Sequence, residues 1–137
     1  MKLDVVVIAH AGLADAFVEA VEMIDGPHPN LHAVNFREGD DMIETGNKLA
    51  VLIQKNGADF TVVLSDLYGA TSTNAALLAI SKCDNAAVVT GVNLISIIQA
   101  LEMDGTDLDE HAVLETIEKK GGAGVRIITR DELFRAD

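Results

Sequence analysis

Leu3-Asp4-Val5-Val6-Val7-Ile8-Ala9-His10 decides how this chain folds. Val5 to Ala9 is an unbroken apolar run, rich in the β-branched side chains that favour extended backbone. A strand with one wet face alternates apolar and polar residues. An unbroken run reads as a strand buried on both faces, which requires helices above and below it. The residues downstream supply them. Leu13, Phe17, Val21 and Ile24 recur at helical spacing, and Gly26-Pro27 ends that helix. Leu31–Phe36 reads as a second strand. Arg37-Glu38-Gly39-Asp40 turns the chain, Asp40 or Asp41 caps a helix through about Lys55, and Gly57 stops it. Phe60–Ser65 is a third strand, Asp66–Thr73 a polar, glycine-bearing loop, Asn74–Ser81 a short helix, and Ala86–Val89 a fourth strand. Asn93–Glu102 and Leu108–Lys120 read as helices. Val125–Thr129, after Gly121-Gly122-Ala123-Gly124, reads as a fifth strand.

This alternation predicts an α/β fold, a doubly wound and mostly parallel sheet with helices on both faces. Such folds bind ligands beyond the carboxyl ends of their strands, where the chain order reverses. The chemistry is therefore sought in residues 9–13, 35–41, 65–73 and 90–93.

Composition narrows the function classes. The chain has 137 residues, 49% of them apolar and 23% charged, which suits one globular domain over residues 1–137. Lys and Arg number 10 against 22 Asp and Glu, a net charge of −12. Such a chain is repelled by nucleic acid and by anionic membrane, and it suits basic protein partners. Cys83 is the one cysteine, so neither an internal disulfide nor a Cys-rich zinc site is available. Val5–Ala9 is too short for a signal peptide, and no apolar run approaches the ~20 residues that span a bilayer. The expectation is a soluble, cytoplasmic protein.

His10 ends the first strand and Asp66 follows the third, and in this topology those strands are neighbours. A carboxylate on one ring nitrogen fixes a histidine's tautomer and leaves the other nitrogen a free lone pair. Such an imidazole is a nucleophile or a base. Leu67-Tyr68-Gly69-Ala70-Thr71-Ser72-Thr73-Asn74 then opens a helix, whose N-terminal amides suit an anion such as phosphate. Thr71 and Ser72 either cap that helix or donate to a phosphoryl oxygen. The helix after His10 aims a second N-terminus at the same place. His28, His32 and His111 are scattered and have no ligand spacing, so no metal set is expected. No G-x-x-x-x-G-K-[ST] or G-x-S-x-G stretch exists, and the glycines at 121–124 precede a strand instead of following one.

Four collinear segments carry a family resemblance. They are Val5–His10 with Ala20–Gly26; Val34-Asn35-Phe36-Arg37-Glu38-Gly39-Asp40; Val63–Ala76; and Val89-Thr90-Gly91-Val92-Asn93-Leu94. Together they resemble the mannose-type enzyme IIA (EIIA) family of the bacterial phosphoenolpyruvate-dependent phosphotransferase system. The resemblance implies a flavodoxin-like fold of four parallel strands, plus a C-terminal antiparallel strand exchanged within a homodimer. Here that strand is Val125–Thr129. It also implies a phosphocarrier without a cofactor. The histidine matching His10 takes a phosphoryl group from phospho-HPr and passes it to a IIB protein, which serves IIC and IID membrane components. The aspartate matching Asp66 holds the histidine. In line with this, amides of Ala11, Gly12 and Leu13, those of Gly69, Ala70, Thr71 and Ser72, and the Thr71 hydroxyl are expected around the phosphoryl oxygens. The chain departs from the family in having Ala11 where glycine usually follows the histidine, no proline in Gly69-Ala70-Thr71-Ser72, and Ile95 after Leu94. A regulatory enzyme IIA and the phosphotransfer subunit of dihydroxyacetone kinase are alternatives. So is a receiver-like domain phosphorylated on Asp66. A receiver, however, needs an acidic pair at the end of the first strand to hold Mg²⁺, and Ala9-His10 stands there.

Overall fold

The computed structural model describes residues 1–134. The elements run β1 (Leu3–His10), α1 (Leu13–Asp25), β2 (Leu31–Phe36), α2 (Met42–Asn56), β3 (Phe60–Ser65), α3 (Thr71–Ile80), β4 (Ala86–Thr90), α4 (Leu94–Glu102), α5 (Glu110–Gly122) and α6 (Arg130–Leu133). The four strands form one parallel sheet in the order β2-β1-β3-β4. The order reverses at β1, which has β2 on one side and β3 on the other.

The unbroken apolar run of β1 is explained by the two cores it separates. Leu3, Val5, Val7 and Ala9 pack on one face with Ala14 and Val21 of α1, Ile97 and Ala100 of α4, and Val113 and Ile117 of α5. Val6 and Ile8 pack on the other with Leu49, Ala50 and Ile53 of α2 and Ala75, Ala76 and Ala79 of α3. Val5 to Ala9 are completely buried. Each of the buried valines and Ile8 stabilises the fold by roughly 1.5–3 kcal/mol relative to exposure.

Local signals set the helix ends. Asp41 caps α2 by accepting the Glu44 N–H at 2.8 Å, and Gly57, at φ +64°, ends the helix. Asn93 and Ser96 form a reciprocal capping box at the start of α4. Three boundaries differ from the sequence reading. α3 begins at Thr71, three residues early, because the Ser72 and Thr73 hydroxyls find partners in the β3 end and the loop before the helix, leaving Ala70 as an N-cap without a side-chain bond. α5 runs through Gly122, so two of the three glycines expected to release the chain are helical. The expected fifth strand is absent. Residues 125–129 form no ladder in the single chain, Val125, Ile127 and Ile128 are exposed, and a short helix follows. An extended segment becomes a strand only by pairing along a sheet edge, and residues 125–129 pair with neither edge of this sheet. No helix among the described residues is long and apolar enough to cross a membrane.

Candidate functional site

The parallel register brings His10 and Asp66 together. Ile8 is level with Ser65 across the β1–β3 pair, so His10 runs two residues past that pairing and Asp66 one. His10 Nδ1 lies 2.6 Å from Asp66 Oδ2, and the same oxygen accepts the His10 backbone N–H at 2.9 Å. Asp66 Oδ1 accepts the Leu67 N–H at 3.0 Å and the Ser72 hydroxyl at 2.7 Å. All four bonds favour the ionised form. Burial pushes the carboxyl upward, but the bonds from Ser72 and from the His10 backbone and ring outweigh it and hold Asp66 at about 2.

A carboxylate that is ionised across the physiological range can only accept. The proton in the 2.6 Å contact therefore belongs to Nδ1, so in the neutral ring the lone pair is on Nε2. Nε2 has no hydrogen-bond partner among the described residues. The ring is open to solvent, its side chain 45% exposed against 10% for Asp66, and the Phe36 ring meets it edge-on at 6.4 Å. The site thus presents a fixed, solvent-exposed nucleophilic nitrogen backed by a mostly buried negative charge.

Two helix N-termini flank it. In α3 the Thr71, Ser72 and Thr73 amides have no acceptor among the described residues, because the first i→i−4 bond is Asn74 N–H to the Ala70 carbonyl. In α1, Gly12, Leu13 and Ala14 are likewise free, while the Asp15 N–H is taken by the Asn35 side chain at 3.2 Å.

Several expected phosphate donors are engaged elsewhere. The Ala11 N–H donates to the Phe36 carbonyl at 2.8 Å, and the Ala70 N–H donates to the Leu67 carbonyl at 3.3 Å. The Ser72 hydroxyl, fully buried, is spent on Asp66. Gly12, Leu13, Gly69 and Thr71 stay available, with the Ser72 amide. The sequence reading did not find Ser72 as the residue that orients Asp66, nor Thr73, whose hydroxyl ties the start of α3 to Ser65 Oγ at 2.8 Å and to the Leu67 carbonyl. A hydroxyl at a helix N-terminus is ambiguous in sequence, because only the fold says whether it caps, donates outward or braces. Among the described residues no three His, Cys, Asp or Glu side chains gather as a metal set.

A family model, EIIA-Man, described as the PTS system fructose IIA component, matches residues 4–118. The chain belongs to the EIIA-Man family. The sorbose-specific EIIA component of the phosphotransferase system of Lacticaseibacillus casei is 31% identical over 97 residues, covering 71% of this chain and 70% of that protein. The mannose/sorbose-specific IIA subunit of Enterococcus faecalis superposes with a TM-score of 0.81 at 26% identity, covering 94% and 96% of the two chains. The phosphotransferase system EIIA component of Streptococcus agalactiae shares the fold, with a TM-score of 0.77 at 21% identity over 92% and 97%. The four-stranded parallel sheet flanked by helices is therefore the fold of this EIIA family.

Two outcomes follow from the geometry. Ala11 holds φ +53°, a left-handed conformation unique among the non-glycine described residues. Relative to glycine there, its Cβ costs about 1 kcal/mol. Ala11→Gly raises the urea-unfolding free energy by about 0.5–1 kcal/mol. The second concerns acid. Because the Asp66 carboxyl lies at about 2, below the unbonded value of 3.8, its contribution to stability is complete above pH 3.8 and is lost as the pH falls from there through about 2. Ser72→Ala brings the folded value back toward 3.8, so its acid-unfolding curve shows a smaller loss that is complete at higher pH than in the parent, and Asp66→Asn removes it.

Proposed function

We propose that this EIIA chain is a phosphocarrier that accepts a phosphoryl group on His10 Nε2 from phospho-HPr and passes it to a IIB protein. The observation that supports this reading most is the 2.6 Å contact between Nδ1 and the ionised Asp66, which leaves Nε2 as the unencumbered nucleophile. In the transfer the Nε2 lone pair forms the N–P bond while the donor's N–P bond breaks, and that electron pair returns to the donor's ring. Nδ1 keeps its proton throughout. The phosphorylated ring is then cationic, and Asp66 neutralises it without accepting the proton. Charge in a loose phosphoryl-transfer transition state spreads over the equatorial oxygens. The free amides of Gly12 and Leu13 in α1, those of Thr71 and Ser72 in α3, the Gly69 amide and the Thr71 hydroxyl are the groups we assign to those oxygens. This work takes place in the cytoplasm, within a single domain and without a cofactor, and IIC and IID membrane components are served indirectly through IIB.

The homodimer belongs to the same proposal. β4 is a sheet edge, and beside it an open groove of about 1030 Å³ is lined by Leu77, Val88, Val89, Leu114 and Val125 among others. Val125-Arg126-Ile127-Ile128-Thr129 is an apolar, exposed segment with strand composition and no strand of its own to pair. An open edge and an unpaired segment suit reciprocal addition across a two-fold axis.

The direct test is intact mass after incubation with phosphoenolpyruvate, enzyme I and HPr. The parent chain gains one acid-labile phosphoryl group. His10→Ala gains none, and Asp66→Ala is labelled about a hundredfold more slowly. Label on His10→Ala would overturn the assignment, and acid-stable, Mg²⁺-dependent label would move it to a carboxylate. Truncation after Gly124 is the second test. Sedimentation finds the full chain as a dimer and the shortened chain as a monomer.

A further inference from the structure

Of the four loops that leave the carboxyl ends of the strands, only the β2–α2 loop holds a cationic residue, and it is Arg37. Arg37 directly follows Phe36, which is level with His10 in the β1–β2 pair and accepts the Ala11 N–H. Its guanidinium lies over the first turn of α1. A Cβ built on Gly12, two residues from His10, would stand 3.5 Å from Arg37 Nη2. The absent glycine side chain leaves that space open.

The guanidinium is also unclaimed. Its neighbours Asp40 and Asp41 are spent on backbone, Asp40 on the Arg37 N–H at 2.7 Å and Asp41 on the Glu44 N–H at 2.8 Å. Asp15, in the first turn of α1, is held by the Asn35 amide at 2.7 Å. Among the described residues Arg37 makes no ion pair, whereas Lys48 and Lys119 do. In a chain of net charge −12, this unpaired cation stands over Gly12, two residues from His10.

We propose that Arg37 binds the phosphoryl group carried by His10, its guanidinium donating to the non-bridging oxygens as they pass from donor to Nε2. This deepens the phosphocarrier reading and rests on it. A planar fork of N–H donors matches two phosphoryl oxygens at once, which an ammonium does not. In the free protein the group is exposed and contributes little. When a donor docks over His10, water leaves and the same charge acts in a lower dielectric.

The test is single-turnover transfer from ³²P-labelled phospho-HPr to the parent, Arg37→Ala and Arg37→Lys chains, with the affinity for unphosphorylated HPr measured alongside. Arg37→Ala transfers about tenfold more slowly with that affinity unchanged, and Arg37→Lys falls between. Arg37→Gln, which keeps part of the stem, replaces alanine if the alanine variant loses the parent's melting transition. Equal rates in parent and Arg37→Ala overturn the role of Arg37 alone. So does a rate loss matched by an equal loss of affinity, which makes Arg37 a docking contact. A parent chain that takes no label overturns the phosphocarrier reading, and the role of Arg37 falls with it.

Discussion

The carboxylate of Asp66 is the constraint on which the site depends. A mostly buried carboxylate is costly unless its lone pairs are filled, and each hydrogen bond to a charged group returns roughly 1.5–3 kcal/mol. Asp66 receives four, from the His10 ring and amide, the Leu67 amide and the Ser72 hydroxyl. Those bonds come from the end of β1, from the loop after β3 and from the first turn of α3. One side chain thus fastens three segments together and dictates the tautomer of the histidine. Its low pKa records that the bonds outweigh desolvation.

The sheet order makes this meeting possible. Two parallel neighbours that end almost level deliver His10 and Asp66 to the same point, and a helix with unpaired first-turn amides begins three residues after His10 and five after Asp66. Placing β1 in the middle, sealed on both faces, removes any freedom for the strand to slip. A one-residue slip of β1 would exchange Leu3, Val5, Val7 and Ala9 with Val6 and Ile8 across the two cores. Burial far from the site therefore sets the position of the nucleophile.

The acidic surface and the apolar tail point to protein partners. A chain of net charge −12 is repelled by polyanions, whereas the proposed function brings an anionic group to its site. Helix N-termini and Arg37 reconcile the two, because they supply local positive potential that the net charge does not show. The segment after α5 is apolar and exposed, and its Val125 lines a groove shared with Val88 and Val89 of the β4 edge.

Much of this was legible in the sequence because it rests on local rules. The apolar run of Val5–Ala9 announced a doubly covered strand, the bounds of β2 and β3 followed from their composition, and Asp41, Asn93, Gly26 and Gly57 marked helix ends through backbone chemistry that acts within a few residues. His10 and Asp66 were readable as a candidate pair once the strand order was inferred, because both stand at strand ends. Tertiary structure alone decided the rest. The Ser72 hydroxyl turns inward to brace Asp66 and the Ala11 amide turns to Phe36, while Arg37 is left unpaired over Gly12. Each of these depends on residues distant in the chain or on a backbone angle that composition does not encode. Val125–Thr129 carries the composition of a strand, but a ladder needs a partner edge, and within its own chain the segment pairs with none.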